Sequence, residues 1–271
     1  MHTGTIPPLL REIPNPPSAL YMHGVWPDIT RPWIAIVGTR KATREGIAIA
    51  KKFAGELAQA GAVIVSGLAF GIDAAAHGGA LEGNGLTVAV LANGIDRIYP
   101  AQHERLAKKI LESGGAIVSE YPNGTPSLPH QFLERNRIVS GLSRAVVLIE
   151  VPERSGALAT ASHAAAQGRD VFVVPGPVTH PNYRGSHQLI RDGARLVTSP
   201  QDILEDLGIE AISAAKKDFL PLLKSDEQKK LVMLLTDAGR PLPIDEITEL
   251  ATLEPQVVNR ELSLLVIHGI V

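Results

Sequence analysis

From Trp33 onward the chain alternates short, nearly unbroken apolar runs with longer amphipathic stretches. The runs fall at 33–37 (WIAIV), 62–65 (AVIV), 86–91 (LTVAVL), 116–118 (AIV), 145–150 (AVVLIE), 171–174 (VFVV) and 195–198 (RLVT). Helix-length segments lie between most of them, at 43–60, 72–82, 101–113, 130–140, 156–167 and 185–192. A strand that is apolar throughout is covered on both faces, and strands that alternate with helices pair in parallel. The pattern predicts a doubly wound α/β domain over residues 33–208.

The flanks read differently. Residues 1–32 carry Pro7, Pro8, Pro14, Pro16, Pro17, Pro27 and Pro32, which predicts an extended, irregular lead-in. Residues 209–223 read as a linker. Helical patterns at 226–238, 243–250 and 254–267 follow, broken by "GRPLP" and Pro255, in helix-turn-helix proportions.

At 271 residues with 45% apolar content, the chain is long enough for one large domain and one small one. It holds no cysteine, which excludes disulfides, thiolate metal sites and a cysteine nucleophile. No signal peptide or membrane span is evident, so a cytoplasmic protein without membrane contact is expected. The net charge of −2 decides nothing about a polyanionic partner, because only the local distribution of charge matters for that.

Ligands of open α/β sheets bind beyond the carboxyl ends of the strands, so the loops there carry the candidate chemistry. The first is Gly38-Thr39-Arg40-Lys41, a glycine turn between strand and helix that lacks the dinucleotide fingerprint. Next come "SGLAFGID", "ANGIDRIYP", "SEYPNGTPSLPHQFLERNR", "EVPERSGALATA" and "PGPVTHPNYRGS". Glycines admit a close ligand, while helix N-terminal amides and Ser or Thr hydroxyls donate to anions. Alternatively the glycines only make tight turns. Cations cluster at Arg31, Arg40, Lys41, Arg44, Lys51 and Lys52, and again at Arg135, Arg137 and Arg144. Such clusters are either an anion site or a solvated helix face, and Phe132 is either a base-stacking ring or core.

The motifs "VGTR", "SGLAFGIDAAAHGGAL", "VAVLANGIDRIYPAQHERL", "SEYPNG", "FLERNRIVSGLS", "SGALATASHAAAQGRDVFVVPGPV" and "GSHQLIRDGARLV" occur in order. In this the chain resembles the DprA/Smf family from about Pro17 to Leu207. The resemblance implies an extended Rossmann-like domain that binds single-stranded DNA, protects it during natural transformation and loads the recombinase RecA. It also implies a homodimer, with no cofactor and no established catalysis. It assigns a phosphate contact to Arg40 within Gly38-Thr39-Arg40-Lys41, and amide contacts to Ser66 and Gly67, with Gly71 and Asp73 behind them. In the "F-x-x-R-N-R" motif it points to Phe132, Arg135, Asn136 and Arg137. One of the two arginines binds phosphate, or else holds the loops together. Ser155 and Gly156 form a further anion site, and Ser186–Val197 a dimer surface with Leu189, Ile190 and Val197.

The chain departs from the family pattern in three respects. The stretch before Trp33 is too short for the helical SAM-like domain of many members. Asn93 stands in a frequent glycine position, and His187 in a frequent asparagine position. The C-terminal unit resembles the family's winged-helix-like domain without an obvious wing. Residues 221–271 hold five Lys or Arg against eight Asp or Glu, so a protein-interaction role or a remnant is expected there, not DNA binding. The rival reading is a nucleotide-binding or nucleotide-hydrolysing enzyme, with a ligand sensor as a third. Against the enzyme stand Pro177, which removes an amide from the Pro175-Gly176-Pro177 loop, and the absence of a Walker A loop, a nucleophile elbow or a metal-spaced histidine pair. His77 is either a base or a structural histidine.

Overall fold

The computed structural model describes residues 2–3, 6–209, 225–238 and 242–267. The chain divides into two compact units, Met1–Ser213 and Ala214–Val271. Apart from Ile209, the expected linker at 209–223 lies outside the described residues.

In the first unit, apolar runs become strands β3 (Trp33–Gly38), β4 (Val63–Ser66), β5 (Thr87–Val90), β6 (Ala116–Ser119), β7 (Ala145–Ile149), β8 (Asp170–Val173) and β9 (Arg195–Leu196). They pair in parallel in the order β6-β5-β4-β3-β7-β8-β9. Helices α2 (Arg44–Gln59), α3 (Ile72–Glu82), α4 (Glu104–Glu112), α5 (Pro129–Gly141), α6 (Gly156–Ala166) and α7 (Arg184–Arg191) join them. Alternate residues of one strand feed opposite cores. Ile34 and Ile36 pack with Phe53, Leu57 and Ile72, while Ala35 and Val37 pack with Ile138, Val139 and Ala157. From β3 to β7 both faces are covered, which is why those strands tolerate no polar alternation.

The lead-in is not irregular. Pro8–Arg11 forms a helical turn, α1, and Tyr21–Gly24 forms strand β2, which runs antiparallel to β6; the short β1 (His2–Thr3) pairs with β2. Leu10, Ile13 and Leu20 are buried. Proline count misleads here because the stretch between Pro17 and Pro27 has none. Its backbone amides are therefore free to pair with the sheet edge. A short helix after β9, α8 (Pro200–Asp206), is also not expected from the pattern; Ser199 and Asp202 form its capping box.

The second unit comprises α9 (Asp226–Ala238), α10 (Ile244–Ala251) and α11 (Pro255–Ile267), around Leu231, Ile247, Ala251, Val258 and Leu265. Gln228 Nε2 donates to the buried Glu261 carboxylate at 2.8 Å. No helix among the described residues is long and apolar enough to cross a membrane.

Candidate nucleic-acid interface

The chain leaves β3 toward β4 on one side, while β7 lies on the other, so the sheet changes winding direction between β3 and β7. Loops leaving adjacent strand ends diverge at such a switch point and open a crevice. A cleft of about 600 Å³ lies there, lined by Gly38–Lys41, Phe132, Leu133, Asn136 and Arg154–Ala157, with Tyr99 at one side.

One wall is the loop after β3. A Cβ on Gly38 would stand 1.9 Å from the Ile149 carbonyl oxygen, so only glycine lets β7 approach. The Thr39 amide donates to the Glu150 carbonyl at 3.0 Å, and Thr39 Oγ1 accepts the Lys41 amide at 3.2 Å. This turn leaves Arg40 and Lys41 exposed, and neither makes an ion pair among the described residues. The Arg40 guanidinium lies 4.8 Å from the centre of the Phe132 ring, and Phe132 sits 5.5 Å from Tyr99. A cation on a ring face is held in place without losing its outward donors.

The other wall is the start of α6. Ser155 Oγ accepts the Ala157 amide at 3.2 Å, and the Gly156 amide, first in the helix, has no acceptor in the preceding turn. Asn136 Nδ2 donates to the Gly156 carbonyl at 3.1 Å and ties α5 to α6. Arg154 is exposed at the same rim.

Beneath the walls lie two buried ionisable side chains, each held by backbone groups. Arg135 is 3% exposed and donates to the carbonyls of Gly67, at 2.8 Å, and Val90. Asp73 accepts the amides of Gly67 at 3.1 Å and Ala69 at 3.4 Å. Burial pushes the Asp73 carboxyl up, against the opposing pull of Arg135 and the two amides. Burial lowers Arg135 to about 10, with Asp73 pulling it back, so the guanidinium is charged at neutral pH. The cleft thus holds Arg40, Lys41, Arg154 and Arg135 against one buried carboxylate.

A helix-start anion site, free cations and an aromatic pair at a switch point fit a polyanion with flat bases. The sequence comparisons agree. Residues 1–208 match the family of DNA recombination-mediator protein A. The chain belongs to this family. Protein Smf of Escherichia coli K12 is 41% identical over 95% of this chain and 70% of its own length. The DNA processing protein A (DprA) structure from Streptococcus pneumoniae matches with a TM-score of 0.70 at 40% identity, covering 74% of this chain and 70% of that one. DprA from Helicobacter pylori, studied for its single-stranded DNA binding mode, matches with a TM-score of 0.69 at 31% identity, covering 75% of this chain and 93% of that one.

Several residues expected to contact ligand have other partners. Ser66 is buried and donates to the Ile36 carbonyl at 2.7 Å. The Gly67 amide is taken by Asp73, and a Cβ there would meet the Arg135 guanidinium at 2.4 Å. Gly71 has φ +76 and backs onto the Thr39 carbonyl. These glycines make room for the protein's own groups, not for a ligand. Arg135 braces loops, and Arg137 pairs with Glu120 at 2.6 Å without lining the cleft. Val197 is 1% exposed in the core with Phe172 and Ile203, so it is no dimer anchor; Leu189 and Ile190 are half-buried against the opposite core, and Leu196 is exposed.

Three residues escape the sequence pattern. Tyr99 and Arg154 line the cleft, and each is legible only as part of its loop. Glu150, buried at the end of β7 with φ +51, accepts the Thr43 amide at 2.9 Å, the Thr43 hydroxyl, and Asn182 Nδ2 at 3.0 Å. It thereby latches the start of α2 to the 180–183 turn, and burial together with its carboxylate pushes Tyr183 up to about 12. An acid closing an apolar strand is the signal for it. His77 is buried: Thr87 Oγ1 donates to the Ile64 carbonyl, so His77 Nδ1–H donates to Thr87, at 2.6 Å. It does not line the cleft. Asn93 donates to the Gly94 and Arg97 carbonyls, and His187 Nε2 lies 3.0 Å from the Gly176 carbonyl.

Proposed function

We propose that this chain binds single-stranded DNA in the cleft between β3 and β7, without chemistry on it. The supporting observation is the outward cluster of Arg40, Lys41 and Arg154 beside the contact of Arg40 with Phe132 and of Phe132 with Tyr99. Phosphates meet the cations and the Gly156 amide, and bases stack on the exposed faces of the rings. Such contacts read no base edges, so binding is indifferent to sequence. The family membership and the single-stranded DNA-binding relative from H. pylori support the same reading. Protection of incoming DNA and delivery of it to the recombinase RecA are the roles in which we place this binding. We further propose a homodimer through α7 and the exposed Leu196 at the β9 edge.

Binding without catalysis is favoured over nucleotide hydrolysis by the chemistry of the lining. Its one carboxylate, Asp73, is buried on two amides, and His77 faces Thr87 instead of the cleft. Neither is placed to activate water. Titration with single-stranded and blunt duplex DNA across a salt series tests the proposal. Preference for the single strand is expected, with affinity falling by about 0.7 of a counterion for each phosphate neutralised. Equal or tighter duplex binding, or release of base or phosphate from nucleotides, overturns it.

A further inference from the structure

Exposed aromatic surface continues past the cleft. Among the described residues, the Phe, Tyr and Trp side chains most open to solvent are Phe70, 44% exposed, and Tyr99, 46% exposed. Both stand at the carboxyl edge of the sheet. Phe70 follows Ala69, and both Ala69 and Tyr99 line the cleft. His103, in the turn after Tyr99, packs edge-on against Phe70 with ring centres 4.8 Å apart. Its Nδ1 lies 2.8 Å from the Leu68 carbonyl, which can only accept, so Nδ1 carries the proton and the ring is held beside Phe70. The loops after β4 and β5 therefore present a second ring pair, joined to Tyr99–Phe132 by the short segment Tyr99–His103.

Charge follows the same direction. Arg97, in the loop after β5, is exposed and makes no ion pair among the described residues, while its neighbour Asp96 is engaged by the Gly124 amide at 3.0 Å. On the opposite side the Tyr183 ring of the His180–Tyr183 pair is turned inward and buried. There the loop after β8 exposes Val178, at 82%, and Arg184 faces Glu153 at 3.8 Å.

We infer that the Phe70–His103 pair is a second stacking step, over which a single strand runs as it leaves the cleft across the loops after β4 and β5. The inference rests on the single-strand reading above and adds to it a direction and a residue outside the cleft. Base–ring stacking is tolerant of sequence, so the step lengthens the footprint without adding specificity.

The test compares oligothymidines of about 4 and about 16 nucleotides, the span of single-strand site sizes, by fluorescence anisotropy. Phe70→Ala is expected to weaken the long oligomer about 10-fold, leave the short one within about 2-fold, and keep the wild-type melting temperature. Phe70→Trp is expected to retain long-oligomer affinity and to be quenched by the long oligomer but not the short one. Arg40→Ala, within the cleft, weakens both lengths. Equal losses on the two lengths, no loss on the long one, or no length-dependent quenching overturns the track. If Arg40→Ala weakens both lengths while Phe70→Ala weakens neither, the cleft reading stands and the track falls. If the wild type binds neither length, both fall.

Discussion

Two arginines of the cleft, one at its rim and one beneath it, do opposite work. Arg40, on the loop after β3, is exposed and stands over the Phe132 ring. Arg135, on α5, is buried beneath the cleft and donates to the carbonyls of Gly67 and Val90. Two residues further on, Arg137 is held by Glu120. Residue type marks all three as candidates for phosphate; burial and prior partners leave Arg40 the exposed one of the three. Charge is not lost from the buried arginine, since Arg135 still adds a positive field under the site. Its donors, however, hold the loops at the ends of β4 and β5.

The largest expected effect separates the two arginines by stability. Arg135→Met leaves two buried carbonyls, of Gly67 and Val90, without their charged donor, at a cost of about 1.5–3 kcal/mol each. Denaturant unfolding should show that loss. A variant of wild-type stability that has lost DNA affinity would make Arg135 a contact residue and erase the contrast. Next, Arg40→Ala should weaken single-stranded DNA binding by about 1.5–3 kcal/mol, the range for a charged hydrogen bond, with an unchanged melting temperature. The salt slope should fall by about 0.7, and Arg40→Lys should restore only part of the affinity, because a lysine lacks the planar fork. A lowered melting temperature with an unchanged slope would instead make Arg40 a brace.

A smaller effect probes the buried region through pH. Burial, aided by the charges of His103 and Arg135, lowers His77 to about 3. A folded value below the unfolded one means that stability is full above about pH 6.5 and is lost as pH falls toward 3. The slope from this group reaches about 1.4 kcal/mol per pH unit. Asp73, raised by burial, works with the opposite sign above the ordinary carboxylate range. Unfolding curves of His77→Asn between pH 4 and 6.5 should therefore be flatter than wild type by about one proton. An identical slope in the variant would show that His77 is charged in the fold. Smallest of all, Lys41→Ala should lose about 0.5–1 kcal/mol of binding, the scale of an exposed ionic contact, with no change in unfolding. A loss as large as that of Arg40→Ala would shift the centre of the site along the loop.

Much of the architecture is legible in the residue pattern. The parallel strands and the helices between them follow from unbroken apolar runs, because a strand covered on both faces has no polar alternation to hide. Gly38-Thr39-Arg40 falls at the ligand edge by its position after the first run of the α/β pattern. The buried role of Arg135 is half legible. It falls four residues after Gln131 and three before Ile138, both buried, so helical periodicity puts it on the inner face. What outweighs that signal is the charge itself, which ordinarily argues for the surface. Strand β2 is hidden by the prolines around it, and the partners of Glu150 by their distance along the chain, 107 residues to Thr43 and 32 to Asn182.

Local pattern and composition are enough for the order of strands β3–β9 and of the helices α2–α7 between them, for the glycine turns at the carboxyl edge and for the cations there. Tertiary structure alone decided which of those groups remain available. Ser66 is consumed by the Ile36 carbonyl, Gly67 by Asp73 and Arg135, and Arg137 by Glu120. Those partners lie 17 to 68 residues away along the chain wherever they are not within the same loop. A donor's vacancy depends on what the fold brings within 3 Å of it, and nothing in its neighbouring letters encodes that distance. Arg40 keeps its outward donors because the turn after Gly38 aims it at a ring instead of a carboxylate.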